Sequence, residues 1–217
     1  MSLSLEEIML KIRQDFDKQY EIREKVITLL RESLINSKSA INAVHSKESN
    51  MAQLRLKTAK EKIDQAKILL EHFPDLHIGM LYLSFQEFTE ASILYEVIFQ
   101  NNITTPEELG VSALSYLMGI ADSIGEFRRS VLDSLRRDEV EDAEKTLEIM
   151  EKLFVELSSM ESAQSLESNL RRKIDVARRI LEVTRGDVTT EIRRENLKIA
   201  MNSFEKKLKS TLSKQRL

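Results

Sequence analysis

Helix breakers are scarce in this chain, with only five glycines and two prolines among 217 residues. Between them run long stretches of Leu, Ile, Glu, Lys and Arg, which lose little on entering a helix. A β protein of this length would need far more turn residues, because each reversal uses Gly, Pro, Asn or Asp to set its backbone angles. The chain is therefore expected to be all-α. Its 41% hydrophobic content is enough for a core. No linker or internal repeat stands out, so one helical domain over residues 1–217 is the expected organisation.

Apolar spacing divides the chain into about seven helices. The first is expected from about Leu5 to Val44, ending at the "HSKESN" stretch. A second from Met51 to His72 stops before Pro74, since the residue before a proline disfavours helical angles. A third runs from Ile78 to Gln100. A fourth starts at Thr105–Pro106, where a capping threonine, a first-turn proline and two acids coincide, and is expected to reach Arg137. A fifth covers Val140 to Leu157. A sixth covers Ser165 to Arg185, with Gly186 as its stop. The last starts near Asp187 or Thr189 and runs almost to the C-terminus. The first and last helices are long for a monomeric globule, which favours an oligomer.

Composition excludes several classes. The chain has no cysteine, so it has no disulfides and no thiolate chemistry. Three histidines (His45, His72 and His77) make a His-rich metal site unexpected. Charges interrupt every apolar run before it reaches the length of a membrane span. The N-terminal residues lack a signal-peptide pattern. A soluble, cytoplasmic protein is the expectation. The net charge of −3 is unevenly spread. Residues 138–157 are strongly acidic, whereas "RRKIDVARRILEVTRGD" and the C-terminal segment are basic. Such faces either meet solvent or, where basic, meet phosphates.

The segment "YLSFQEFTEASILYEVIF" is apolar enough to be buried, yet it holds Glu87, Glu90 and Glu96. A buried carboxylate needs a cation, a metal or hydrogen-bond donors. Glu87 and Glu90 are three apart and share a helix face. In "SYLMGIADSIGEFRRSV", Asp122 and Glu126 are four apart and share one too. Gly119 and Gly125 weaken that helix by roughly 1 kcal/mol each, which points to a close backbone or ligand. Two such helices side by side would point four carboxylates into one space. Oxygen-only donors suit Mg2+ or Mn2+ better than Zn2+. Alternatively, Arg128 and Arg129 neutralise these acids. Glu96 is rotated away from Glu90 and is expected to make a structural ion pair.

These segments resemble the translin family. "SYLMGIADSIGEFRRSVLDSL" is similar to the family's "DYLxGVADLTGELMR" helix, and "LSFQEFTEASILYEVI" to the "LQEYVEAVSFxxF" segment of translin-associated factor X. Three further stretches resemble the family in the same order: "REKVITLLRESLINSKSAINAVH", "NITTPEELG" and "LRRKIDVARRILEVTRGDVT". Together they extend from about Arg23 to Thr189. The resemblance implies a seven-helix protomer assembled into a hollow octamer with acidic sites facing its cavity. It is closest to the catalytic branch, in the compact form expected of an archaeal homologue. That branch supplies a Mg-dependent endoribonuclease, while the translin branch binds single-stranded RNA and DNA without the full acidic set.

On this resemblance, Glu87, Glu90 and Asp122 are implied metal ligands and catalytic residues, with Glu126 ligating directly or at one remove. A cation-activated water would cut the phosphodiester in line, leaving a 5'-phosphate and a 3'-hydroxyl. RNA, or possibly single-stranded DNA, is the implied partner, and a homo-oligomer, possibly an octamer, the implied assembly. Arg23, Lys25, Arg31 and Lys38 on the first helix, with Arg128 and Arg129, are candidate phosphate contacts; for each, a salt bridge or a solvated face is the alternative. His45 matches a family histidine and reads as structural. With 6% aromatics and no tryptophan, base stacking should not dominate recognition, and sequence preference should be weak. The eukaryotic silencing role does not transfer with the fold.

Two other readings stay open. All-helical nucleoside triphosphate pyrophosphohydrolases also use carboxylate pairs on neighbouring helices, although the first-helix and late-helix segments argue against them. A translin-like shell that binds nucleic acid without cutting it is the non-catalytic alternative. A ferritin-like di-iron site is disfavoured, because no histidine completes the required ExxH pair.

Overall fold

The computed structural model describes residues 4–73 and 76–214, with side chains to residue 209. Among them are eight helices and no strand, so the all-α expectation holds. The described residues group into two compact units, Met1–Ser123 and Ile124–Leu217.

The first unit begins with α1, Leu5–His45. Ser4 caps it in a reciprocal box with Glu7, which satisfies two backbone donors at the helix start. Its buried face starts only at Val26 and continues through Ile27, Leu30, Ser33, Ser37, Ala40, Ile41 and Val44. Helix α2, Ser49–Glu71, packs on it through Ala52, Ala59, Ile63 and Ala66. Alanines seven apart keep one face of α2 thin, which allows a close helix–helix approach. The proline invoked to stop this helix, Pro74, lies outside the described residues; the helix itself ends with His72 as its cap.

Helix α3, Gly79–Phe99, is buried almost all round in its second half, from Ala91 to Glu96. Phe85 and Phe88 join Ala59, Ile63 and Leu109 in one apolar cluster. The expected fourth helix is in fact two. A single turn, α4 at Pro106–Leu109, is capped by Thr105 and Glu108. Gly110 then takes the left-handed conformation at φ 68° and stops it, as glycine does at helix ends. Ser112 restarts the chain by accepting a hydrogen bond from the Ser115 amide at 3.2 Å, and α5 spans Ala113–Arg136.

The second unit holds the last part of α5, then α6 at Val140–Ser159, α7 at Glu161–Leu166 and α8 at Ser168–Lys214. Ala143, Leu147, Met150, Leu153 and Leu157 form the buried stripe of α6. It packs on α8, whose Leu170, Ile174, Ala177 and Leu181 are buried.

Two expectations fail here. The short α7 was not foreseen, and the predicted stop at Gly186 does not occur. Helix α8 runs straight through it for 47 residues. A helical glycine costs about 1 kcal/mol relative to alanine, and local contacts offset this. Val188 is buried, Asp187 pairs with Arg128 at 3.0 Å, and the Thr190 hydroxyl donates to the Gly186 carbonyl at 2.9 Å.

Candidate active site

Of the acids that sequence spacing placed on two helices, Glu87, Glu90 and Asp122 stand within three residues of one close helix crossing. A Cβ built on Gly119 of α5 would stand 2.6 Å from the Thr89 Cβ and 2.7 Å from the Gln86 carbonyl oxygen of α3. The crossing therefore needs glycine at position 119, as the sequence implied. At Gly125 a Cβ would meet nothing within 4 Å, so no backbone among the described residues comes close there.

One turn beyond Gly119, the Asp122 carboxylate accepts a hydrogen bond from the Gln86 side-chain amide at 2.6 Å. Glu87 follows Gln86 on α3 and is largely enclosed, with its side chain 19% exposed. Lys38 of α1 stands 4.0 Å from it. Glu90, half-buried, lies four residues after Gln86, so the two share a helix face. Gln86, Glu87, Glu90 and Asp122 all belong to the first unit. Glu126 belongs to the second, where it is half-buried with the Arg129 guanidinium 3.8 Å away.

The donor chemistry of the first-unit acids fits a hard divalent cation, since every group is an oxygen donor. In the arrangement described, however, Asp122 is engaged by an amide and Glu87 faces an ammonium group. Among the described residues no three His, Cys, Asp or Glu side chains converge closely enough to hold a metal ion.

No protein-family model matches the chain. It is 36% identical over 180 residues to an uncharacterized protein of Methanocaldococcus jannaschii, MJ0175, covering 82% of this chain and 79% of that one. Its structure is similar to the AfC3PO–duplex RNA complex, with a TM-score of 0.79 and 28% identity over 86% of this chain and 97% of that chain. It is also similar to apo-NeC3PO, with a TM-score of 0.73 and 26% identity over 88% of this chain and all of that one. Both C3PO structures are of translin-family complexes. The chain belongs to the translin family.

In this translin-family chain the candidate phosphate-binding residues have unequal surroundings. Lys25 and Arg31 are exposed on α1. Arg23 is half-exposed and pairs with its neighbour Glu24 at 2.7 Å. Lys38 is 67% exposed and stands beside Glu87, so it borders the acids. Arg129 is half-exposed beside Glu126. Arg128 is more enclosed and is committed within the second unit, donating to the Thr184 hydroxyl at 2.9 Å and pairing with Asp187 at 3.0 Å. Arg128→Ala is expected to lower stability by about 1–2 kcal/mol, the scale of a charge-assisted hydrogen bond, and to leave RNA affinity unchanged. Thermal melts and a binding isotherm separate the two effects. His45 sits half-buried in the last turn of α1.

Glu96 corrects an expectation. It is buried, and among the described residues hydrogen bonds rather than an ion pair hold it. The Thr104 amide donates at 2.7 Å and the Thr104 hydroxyl at 2.6 Å. Tyr116 completes the cluster by donating to the Thr104 carbonyl at 2.7 Å. Burial first, then Glu96, Glu107 and Glu108, push the Tyr116 hydroxyl above its ordinary value of 10.0. The folded chain therefore binds this proton more tightly than the unfolded chain. The resulting stabilisation is complete below pH 10.0 and is lost as pH rises through the folded value. Wild type should lose stability above pH 10 more steeply than Tyr116→Phe in urea titrations at stepped pH.

Sequence reasoning missed two features of this region. Gln86 was overlooked because it is neutral, although its spacing to Glu90 carried the signal. The Glu96–Thr104 contact joins a helix to the loop after it, and no helical period reports such a pairing.

Proposed function

We propose that the protein binds RNA and cleaves it internally in a Mg2+-dependent reaction, as a homo-oligomer. The observation that carries the RNA-binding part is the similarity, over 97% of its length, to a C3PO chain solved with duplex RNA. Support for cleavage comes from Glu87, Glu90 and Asp122 beside the Gly119 crossing. When bound, a divalent cation supplies neutralisation of phosphate charge and a more acidic water. The chain's own residues do the rest. Glu87, Glu90 and Asp122 would hold the cation through oxygen atoms, a convergence that the described residues do not make on their own. Lys38, next to Glu87, attracts the phosphodiester. Lys25 and Arg31 extend that attraction along α1, so affinity should fall as salt rises. Single-stranded DNA is a proposed secondary ligand, and an octamer the proposed assembly.

The test is a labelled RNA, single-stranded and duplex, incubated with Mg2+ and with EDTA. Internal cuts in Mg2+ alone support the ribonuclease. RNA bound and left intact in both selects the second reading, a non-catalytic RNA-binding shell. That reading is favoured by the engagement of Asp122 with Gln86 and of Glu87 with Lys38.

A further inference from the structure

We infer that residues 5–18 of α1 form a self-complementary docking surface, on which the same segment of a second copy packs antiparallel. The contact belongs to the homo-oligomer reading above and rests on that part of it alone. The segment precedes the stretch that resembles the translin family, which begins near Arg23. Every residue from 5 to 18 is exposed, and the buried face of α1 starts only at Val26. Nothing among the described residues covers this part of the helix, yet it carries large apolar side chains. Leu5, Met9, Ile12 and Phe16 are 43–73% exposed. Their spacing of four, three and four is that of the seam in a two-helix coiled coil. Single exposed apolar residues are ordinary, but a continuous row along one helix face marks a surface that meets another.

Charge selects the occupant. With Met9 and Phe16 at the a positions of the seam and Leu5 and Ile12 at d, Glu6 and Arg13 take the flanking e positions. Antiparallel pairing of two copies then builds four apolar layers, Leu5 on Phe16 and Met9 on Ile12, each occurring twice. It also sets Glu6 of one copy beside Arg13 of the other, again twice, and such flanking charges choose partner and orientation. A parallel pair would place Arg13 beside Ile8 and forgo both ion pairs. The tail of α8 carries a seam of the same spacing, Leu197, Met201, Phe204 and Leu208, also exposed. An antiparallel match of α1 with that seam would put Glu6 beside Glu205 and Arg13 beside Lys198. Like charges oppose it, whereas the α1 segment matches itself, as a twofold contact between identical chains requires.

The full chain has no native cysteine, so cross-linking can read the register. In the antiparallel pair, position 5 meets position 16 of the other copy. Two copies of position 5 lie about 16 Å apart along the seam, at about 1.5 Å of rise per residue, whereas a disulfide needs Cα atoms within about 7 Å. Leu5→Cys and Phe16→Cys proteins should therefore cross-link when mixed and oxidised, and neither should do so alone. Cross-linking of Leu5→Cys to itself would show parallel pairing and overturn the inference. Cross-linking of Leu5→Cys to Leu208→Cys would give the surface to α8 and overturn it too. Ile12→Glu should weaken self-association, measured by sedimentation, at least about tenfold, with the melting temperature held because no core residue is touched. Glu6→Arg should weaken it less, and adding Arg13→Glu should restore it, a rescue that a folding defect would not show. If wild type is an oligomer, the mixture does not cross-link and Ile12→Glu associates as tightly as wild type, this inference falls alone. If wild type sediments as a monomer, the homo-oligomer reading falls and takes the inference with it.

Discussion

Asp122→Asn is expected to reduce Mg2+-dependent RNA cleavage by at least about a hundredfold while leaving RNA bound. The estimate follows from removing one charge-stabilising group from a reaction centre, which commonly costs 10²–10³ in rate. A hundredfold corresponds to about 2.7 kcal/mol of barrier. The substitution is nearly isosteric. The asparagine carbonyl can still accept from the Gln86 amide, which now sits 2.6 Å from the carboxylate, so the helix crossing should survive. Glu87→Gln should act in the same direction, because it also removes a charge without removing bulk. Neither change takes a cation from the surface that meets phosphate. RNA affinity in EDTA should therefore hold, or rise slightly as repulsion falls. Single-turnover cleavage beside a binding isotherm separates the two effects, and wild-type cleavage in either variant would count against that residue as a participant.

Gly119→Ala is expected to destabilise the protein, although helix propensity predicts the reverse. Alanine is favoured over glycine inside a helix by about 1 kcal/mol. At position 119 the added methyl would sit 2.6 Å from the Thr89 Cβ and 2.7 Å from the Gln86 carbonyl oxygen, where carbon atoms normally approach to about 3.5–4.0 Å. A backbone carbonyl cannot turn aside as a long side chain can, so α3 and α5 must separate. Overpacking of this kind costs about 1–3 kcal/mol, or roughly 2–12 °C in melting temperature for a chain of this size. It should also loosen the Gln86–Asp122 hydrogen bond. Gly125→Ala is the internal control, since its Cβ would meet nothing within 4 Å. That variant should melt at or above the wild-type temperature. A Gly119→Ala protein as stable as wild type would show that the crossing is not as tight as described.

Much of this is legible in the sequence. The scarcity of breakers led to an all-α fold. Apolar spacing located the start near Leu5, capping residues located the start at Pro106, and the acid spacing drew attention to α3 and α5. The misses share one cause. Gly110 and Gly186 are the same residue type, yet one ends a helix and the other lies inside one. Lys67 donates to the Gly110 carbonyl at 3.1 Å, from 43 residues away, and stabilises the break. At Gly186, the Arg128–Asp187 pair and buried Val188 keep the helix going. Glu96 looked like an ion-pair partner because its burial was legible, whereas Thr104, its actual donor, lies in a loop.

What the sequence determined by itself is local. Propensity, capping and periodicity act within a few residues, so they set fold class, most helix boundaries and which acids share a face. The tertiary structure decided which faces meet. It set Gly119 against Gln86 and Thr89, brought the Gln86 amide to Asp122, and engaged Arg128 with α8 in the second unit. These contacts depend on packing between residues 30 to 60 positions apart, and short-range helix preferences carry no record of distances across such separations.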